Sequence, residues 1–266
     1  MSEPSGKKIS LSIVSHGNQD SAVRLLEDLA RLGRKDVEVI LTINVPEPWP
    51  AHLESKANPL DLKLIRNAQP KGFAANHNAA FAVSSGENFV FLNPDIRLLD
   101  DPFDILLAAI AATPDVICAP LVLNDAHEVE DSARNYPSPY FLCKKLLGKL
   151  LGISLARDVI RGTDDFLMPD WVAGMFVMAP RAIYQELDGL SERYHLYYED
   201  VDFCARARLA GYQIQVCKRA TVIHQAQRAS HRKLRYLAWH VQSACKFFTS
   251  AAYLRIQKRR LFGARP

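Results

Sequence analysis

Three carboxylates stand within four positions in the run YYEDVDFCARARLAGY, which covers residues 197–212. They are Glu199, Asp200 and Asp202, and they come directly before an amphipathic helical pattern. Because like charges this close repel each other, such a cluster usually has a cation, a metal ion or a proton to hold. Capping of a helix N-terminus would explain one or two of these acids, but it gives no reason for the aromatic residues at 195–198.

A second acidic signal lies about a hundred residues earlier, in the run FLNPDIRL. Asp95 follows an apolar stretch at 89–92 that has the length and character of a buried strand. Two carboxylate sites at the ends of predicted strands indicate a metal-assisted transfer enzyme. One site could hold a metal-bound phosphate, and the other could accept a proton.

The elements that must position these acids begin with alternating strand and helix patterns in the first half of the chain. This alternation predicts an α/β fold, with a mostly parallel sheet and helices on both faces. Strands are predicted at residues 9–15, 37–43, 62–65, 89–92 and 116–119, and helices at residues 21–32, 73–84 and 102–112.

The second half has weaker periodicity. The basic amphipathic stretch 141–153 predicts a helix that either packs on the domain or faces a membrane. The apolar segment 171–178 contains Gly174, which indicates a close approach of the backbone to another group. A short helix is predicted at 181–187, and one or two helices rich in aromatic, Lys and Arg residues at 230–261.

Composition is that of an ordinary globular protein with one large domain. The five cysteines show no CxxC spacing, so we expect neither disulfides nor a cysteine metal site, and a reducing cytosol fits best. The N-terminal MSEPSGKK lacks an apolar core, which predicts no signal peptide. No apolar run approaches the roughly 20 residues that a membrane span needs.

Charge is distributed unevenly along the chain. Residues 1–202 carry 19 basic and 29 acidic side chains, whereas the remainder carries fourteen Lys or Arg and no acid. A basic tail on an acidic body predicts an anionic partner, such as a membrane surface, a lipid-linked phosphate or nucleic acid. Nucleic acid ranks last, because no nucleic-acid-binding motif accompanies the KRR at 258–260.

The chain resembles the inverting, GT-A fold glycosyltransferases of family 2, especially the rhamnosyltransferase-like members that build bacterial surface polysaccharides. Six motifs occur in the family's order: SIVSHGN, RNAQPKGFAANHNAAF, FLNPDIRL, DWVAGMFVMAPR, LYYEDVDFCARARLAGY and ATVIHQ. The resemblance implies a Rossmann-like GT-A domain at 1–228, with a donor half at about 9–120 and an acceptor half at about 121–228. A basic amphipathic helical extension follows at 229–266.

The resemblance also implies a divalent cation, Mg²⁺ or Mn²⁺, that bridges the diphosphate of a sugar nucleotide. Asn93, Pro94 and Asp95 occupy the family's DxD-type position, so Asp95 is the expected carboxylate ligand. His224 lies where many members supply a further metal ligand. The alternative for His224 is an ordinary histidine after a strand.

Asp200 matches the catalytic base of the family, which takes the proton of the attacking acceptor hydroxyl. Glu199 and Asp202 would position the acceptor, hold Asp200 or contact Arg206. Trp171 and Gly174 resemble the acceptor-side segment, although Trp171 is equally suited to the core.

Donor binding is expected around the segment RNAQPKGFAANHNAAF, where Gly72 lets the backbone approach a ligand closely. A capped surface helix is the alternative. The sequence has neither GxGxxG nor a P-loop, so NAD and ATP sites lack support. Ile43 stands where many relatives carry an acid that helps to hold the nucleotide. The sequence therefore leaves open which nucleotide the donor carries. The donor-binding candidates are Ser15, His16, Asn44, Asn67, Gly72, Asn76 and Asn93.

We therefore expect a metal-dependent inverting glycosyltransferase that moves L-rhamnose from dTDP-rhamnose onto a growing, lipid-linked bacterial glycan. It would act in the cytoplasm, with the basic tail at the inner face of the membrane. A UDP-sugar donor is an alternative, as is a degenerate sugar-binding scaffold. A nucleotidyltransferase would need a basic first loop, and SHGNQDS has no Lys or Arg.

Overall fold

The computed structural model of the protein describes residues 7–50, 59–140, 144, 160, 164–225 and 234–261. Strands β1 to β11 are Ile9–Ser15, Val37–Ile43, Asp61–Arg66, Asn88–Leu92, Ile96–Arg97, Val116–Leu123, Ala133–Arg134, Phe166–Leu167, Trp171–Val172, Phe176–Pro180 and Gln213–His224. Helices α1 to α7 are Gln19–Leu32, Phe73–Ala82, Phe103–Ala112, Arg181–Glu186, Glu199–Ala210, Leu234–Phe248 and Ala251–Leu261.

The main sheet has the strand order β3-β2-β1-β4-β10-β6-β11-β5, and β8 pairs with β11. Strands β1 to β4 pair in parallel, and so do β6 and β11. Strand β10 runs antiparallel to both of its neighbours, β4 and β6. The mostly parallel sheet predicted from the sequence is therefore confirmed. Strands β7 and β9 form a separate antiparallel pair.

Two hydrophobic cores lie on the two faces of this sheet. Strand β4 contributes side chains to both cores, because Phe89 and Phe91 pack in one core while Val90 and Leu92 pack in the other. A strand buried on both faces has a continuous apolar sequence instead of an alternating one. Helices α1 and α3 cover the second core, whereas α2 and α4 to α7 contribute buried residues to the first.

The predicted strand bounds agree closely with the structure for β1 and β2, and β6 continues four residues further than expected. The apolar segment predicted at 171–178 is divided between β9 and β10, with Gly174 between them. The backbone turns between these two strands, and the Gly174 N–H donates to Asp200, which lies outside the sheet. The helix predicted at 141–153 lies outside the described residues, apart from position 144.

The carboxyl ends of four neighbouring parallel strands gather the donor candidates at one edge of the sheet. His16, Asn44 and Asn67 directly follow β1, β2 and β3, and Asn93 directly follows β4. In open α/β sheets, ligands bind at this edge, in the loops after the strands. Among the helices described, none combines the length and apolar character that a membrane span requires.

Candidate active site

Three asparagine side chains hold the loop that joins β3 to α2. Asn67 Nδ2 donates to Asn44 Oδ1 at 2.9 Å and to Asn76 Oδ1 at 2.7 Å. Asn44 also bonds both backbone groups of Lys71, at 2.8 and 3.0 Å. Asn76 is buried and donates to the Lys71 and Gly72 carbonyls. Three of the four asparagines predicted for the donor site are thus brought together, and they fix the backbone of this loop, whereas Asn93 lies outside the network.

The two candidates at the end of β1 differ in exposure. His16 is exposed, and its Nδ1 lies 2.9 Å from Asn44 Nδ2, which joins it to the asparagine network. Ser15 is fully buried, and its hydroxyl has no hydrogen-bond partner. An exposed ring at the end of a parallel strand is available to a ligand, whereas Ser15 is enclosed by the fold.

Gly72 comes close to the segment that precedes the acidic cluster. A Cβ atom at position 72 would lie 2.8 Å from the His195 carbonyl oxygen. The same oxygen accepts a hydrogen bond from Phe73 N at 3.2 Å, at the start of α2. The sequence predicted that the backbone at Gly72 approaches a ligand, and the group that the structure places against it is the His195 carbonyl. Any larger side chain at position 72 would separate α2 from this segment.

Asp95 and His224 meet through the pairing of two short strand segments. Strand β5 pairs antiparallel with β11 so that His224 lies opposite Ile96. Gln225 N also donates to the Asp95 carbonyl at 2.9 Å. As a result, His224 Nε2 lies 3.4 Å from Asp95 Oδ1. This oxygen is buried and accepts no hydrogen bond.

Glu130 was not anticipated from the sequence, and it orients His224. Its Oε2 lies 2.7 Å from His224 Nδ1, on the side of the ring away from Asp95. Burial disfavours the charged ring, but Asp95 and Glu130 together raise the pKa of His224 to about 9. A carboxylate on Nδ1 fixes the ring so that Nε2 faces Asp95, as in many metal-binding histidines.

The residues at this position fit a divalent cation. The buried Asp95 oxygen accepts no hydrogen bond and faces the oriented His224 Nε2, and the two are ligands that Mg²⁺ or Mn²⁺ can share once the imidazole has lost its Nε2 proton. Within the described residues, no group of three or more His, Cys, Asp or Glu side chains is arranged so that it could hold a metal ion. Mg²⁺ commonly takes one or two protein ligands and completes its shell with phosphate oxygens and water.

Asp200 lies at the start of α5, beside the turn between β9 and β10. Its Oδ2 accepts from Gly174 N at 2.9 Å, and its Oδ1 accepts from Val201 N at 2.8 Å. Burial raises the pKa of Asp200, while the two backbone N–H groups and the Arg134 charge oppose this rise. A carboxylate with raised basicity and a fixed direction is suited to accept a proton.

Gly174 and the next residue join the two acidic sites. Gly174 N holds Asp200, and the Met175 carbonyl accepts from Asn93 N at 2.9 Å, at the start of the Asn93–Pro94–Asp95 loop. A Cβ atom on residue 174 would lie 3.3 Å from the Phe73 ring and 3.6 Å from Asp200 Cβ. Two adjacent residues therefore contact both the loop of Asp95 and the carboxylate of Asp200.

The other two acids of the cluster occupy different surroundings. Glu199 is 5% exposed, and its Oε2 has no partner. Burial and the neighbouring Asp200 charge raise the pKa of Glu199 well above its ordinary value. Asp202 is paired instead, since it accepts from Arg206 Nε at 2.7 Å and from Tyr194 OH at 3.2 Å.

The contact with Arg206 was one of the roles left open for Asp202, and the structure shows it. Asp202 lines a depression of about 1020 Å³ that neither Glu199 nor Asp200 lines. Trp171 is 7% exposed, donates its indole N–H to the Asn135 carbonyl, and lies in the core. Of the two positions that suited Trp171, the core is the one observed.

Comparison with solved structures identifies the class of fold. The crystal structure of GalNAc-T7 with UDP, GalNAc and Mn²⁺ superposes with a TM-score of 0.66, at 14% identity. The match covers 93% of this chain and 49% of that chain. The protein has the GT-A fold, as the sequence motifs predicted.

The family model for glycosyl transferase family 2 matches residues 10–156, which is more than half of the chain. The chain belongs to this family, and it is a glycosyltransferase. This confirms the resemblance inferred from the six motifs.

Two curated relatives have rhamnosyltransferase names. Rhamnosyltransferase WbbL of Escherichia coli (strain K12) is 24% identical over 247 residues, which are 88% of this chain and 90% of WbbL. The N-acetylglucosaminyl-diphospho-decaprenol L-rhamnosyltransferase of Mycobacterium tuberculosis (strain ATCC 25618 / H37Rv) is 28% identical over 167 residues. That match covers 59% of this chain and 53% of the mycobacterial protein.

Proposed function

We propose that the protein is a metal-dependent inverting glycosyltransferase that transfers L-rhamnose from dTDP-rhamnose to a lipid-linked glycan. The observation that carries this proposal is the shared contact at Gly174 and Met175. It brings the Asp200 carboxylate and the Asn93–Pro94–Asp95 loop to one edge of the sheet. A base for the acceptor and a ligand for the donor diphosphate are the two groups that such a transfer requires.

Asp200 acts as the base in this mechanism. As the acceptor oxygen bonds to the anomeric carbon, the bond from that carbon to the nucleoside diphosphate breaks, and the acceptor proton passes to Asp200. Gly174 N and Val201 N keep the carboxylate fixed during this step. Attack from the face opposite the leaving group inverts the anomeric centre, so a β-linked donor gives an α-L-rhamnoside.

Asp95 and His224 would hold the divalent cation, and Glu130 would hold His224 in the required orientation. When bound, the cation would offset the charge of the departing nucleoside diphosphate. GalNAc-T7, which shares the fold, was solved with UDP and Mn²⁺. The loop held by Asn44, Asn67 and Asn76 would place the backbone around Gly72 against the donor.

The names of WbbL and of the mycobacterial enzyme support rhamnose as the sugar. The mycobacterial name also contains a diphosphate-linked decaprenol acceptor, which supports a lipid-linked acceptor here. Such an acceptor would place the enzyme in polysaccharide, lipopolysaccharide or O-antigen assembly. The UDP of GalNAc-T7 and the apolar Ile43 at the end of β2 keep a UDP-sugar as the second candidate.

The first experiment is a thermal-shift screen of the full chain against dTDP, UDP, GDP and CDP, each with Mn²⁺, Mg²⁺ or EDTA. A ligand that binds only the folded state raises the melting temperature, by an amount that corresponds to about 2.7 kcal/mol at 100 times its Kd. We expect a metal-dependent shift with dTDP that Asp95→Asn abolishes. Asp100→Asn, an exposed acid in the following segment, is the matched control.

Asp200→Asn then separates a catalyst from a sugar-binding scaffold. We expect the variant to keep the dTDP-dependent shift and to lose turnover by about 10²- to 10⁴-fold, the usual contribution of a general base. A metal-dependent shift with UDP alone would favour the second donor. No shift with any diphosphate would contradict an active transferase and favour the scaffold.

A further inference from the structure

Two consecutive tyrosines before the acidic cluster have an unusual backbone conformation. The φ angles of Tyr197 and Tyr198 are 70° and 71°, in the left-handed region that large side chains rarely adopt. Such residues remain in this region only where the surrounding structure holds them there, and they are often found at functional sites. Glu199 and Asp200 follow immediately, so this turn sets the direction in which α5 begins.

Helix α6 supplies many of the contacts around this turn. Ser243 Oγ donates to the Leu196 carbonyl at 2.9 Å, directly before the two tyrosines. The His240 ring lies 5.3 Å from the Tyr197 ring and 5.4 Å from the Tyr198 ring, measured between centroids. One residue of α6 therefore contacts both members of the strained pair.

The contacts continue on both sides of the turn. On the next turn of α6, the Phe247 ring lies 5.6 Å from the Tyr198 ring, and Lys246 Nζ donates to the Arg193 carbonyl at 2.7 Å. Towards the N-terminal end of α6, the Trp239 ring lies 4.6 Å from the His195 ring. His195 in turn contacts Gly72 and Phe73 on the donor side.

The geometry points to α6 as a positioning element for the catalytic carboxylate, with His240 and Ser243 as its positioning residues. Both hold the turn at 196–198, so that Asp200 stays against Gly174 and faces the acceptor. The inference rests on the proposed role of Asp200 as the base. It assigns a positioning role to a helix that the sequence pattern alone describes as part of a basic amphipathic extension.

The test compares His240→Ala with His240→Phe, which restores a ring at the same position, in full-length enzyme. We expect His240→Ala to lower kcat about tenfold while KM for the donor stays within about twofold, and His240→Phe to recover most of the loss. Gln242→Ala, an exposed position on the same helix, is the control. A purely structural role would lower the fraction of folded enzyme without this split between kcat and KM.

Ser243→Ala is the milder second variant, in case His240→Ala does not fold. We expect a smaller fall in kcat, again with donor KM unchanged. Full kcat in both folded variants, or equal losses in His240→Ala and His240→Phe, would overturn the inference. Asp200→Asn is assayed alongside. If this variant retains turnover, the proposed base itself is wrong. If Asp200→Asn is inactive and His240→Ala is fully active, only the role of α6 is contradicted.

Discussion

Glu199 and Asp200 are neighbours in the chain, yet their surroundings give the two carboxyl groups different properties. Asp200 accepts hydrogen bonds from two backbone N–H groups, whereas Glu199 is enclosed with one oxygen unpartnered. Backbone donors favour a charged carboxylate, and burial without partners favours a neutral one. Burial and the adjacent Asp200 charge both raise the pKa of Glu199, whereas backbone N–H groups oppose the rise at Asp200, so Asp200 is the better placed of the two to act as the proposed base.

The pH dependence of turnover should report the environment of Asp200. Because burial raises its pKa above the ordinary 3.8, the carboxylate takes up a proton at a higher pH than an exposed Asp does. A protonated base cannot accept the acceptor proton, so kcat/KM should fall as the pH decreases through this raised pKa. The measurement is a pH profile of kcat/KM for the acceptor, with the metal and the donor at saturating concentrations.

Melting temperatures measured over the same pH range separate loss of activity from loss of fold. We expect the fold to persist where activity has already fallen. An acid limb at or below the pKa of an exposed aspartate would contradict the prediction. Asp200→Glu keeps the charge but moves it by one methylene group, so it should lower the value of kcat/KM that the profile reaches at higher pH.

At the scale of elements, Glu38 joins three strands and a loop at the edge of the sheet opposite the site. This carboxylate in β2 is 1% exposed and accepts from Ser10 in β1 and from Lys63 in β3. It also accepts from the backbone of Ser85 and Gly86, before β4. Burial alone would raise its pKa, but these donors lower the pKa of Glu38 to about 2.

Glu38→Gln should therefore lower the free energy of unfolding by about 3 kcal/mol at pH 7, the stabilisation that corresponds to lowering the pKa of this carboxylate from 4.5 to about 2 on folding. Because the pKa is lower in the folded state, this stabilisation is complete above the ordinary value of 4.5 and is lost as the pH falls through about 2. Denaturant melts at pH 7 and pH 3 would measure the difference. Glu87→Gln, an exposed acid nearby, should change little at either pH.

Elements with regular patterns were predictable from the sequence, and contacts between distant elements were not. Strands β1 and β2 are predicted to the residue, because apolar residues recur at every second position of each strand and a polar residue, His16 or Asn44, follows its end. Glu130 gave no signal, since it lies 94 residues from His224 and meets it only through β11. The left-handed conformation of Tyr197 and Tyr198 gave no signal either, because large side chains rarely adopt it and the residues that contact the two rings lie about forty positions away, on α6.

At the scale of the whole molecule, the C-terminal helices present a second surface away from the turn they hold. Leu237 and Val241 lie one helical turn apart on α6 and are 59% and 53% exposed. Leu254 on α7 is also exposed, next to the cationic Arg255 and Lys258. Exposed apolar residues with adjacent cations are typical of helices that lie in the interface of an anionic membrane.

We predict that the full chain sediments with vesicles containing anionic lipid and much less with neutral phosphatidylcholine vesicles. Leu237→Asp should weaken this binding, because it places a negative charge on the exposed apolar face that we expect to contact the lipid. Leu99→Asp, at a leucine that is 53% exposed after β5, is the matched control and should bind as the unaltered chain does. Binding that is equal on both vesicle types, or equally weakened by both substitutions, would contradict the prediction.

The dipeptide formed by Gly174 and Met175 has a consequence for redesign. Its N–H contacts Asp200, the proposed base, and its carbonyl contacts Asn93, which opens the loop of the proposed metal ligand, so one dipeptide links the two parts of the proposed site. Loops that select the sugar or the acceptor can therefore be exchanged between relatives without altering that link, provided residues 174 and 175 are transplanted unchanged. Chimeras that join donor and acceptor halves are best cut outside this dipeptide and its two partners.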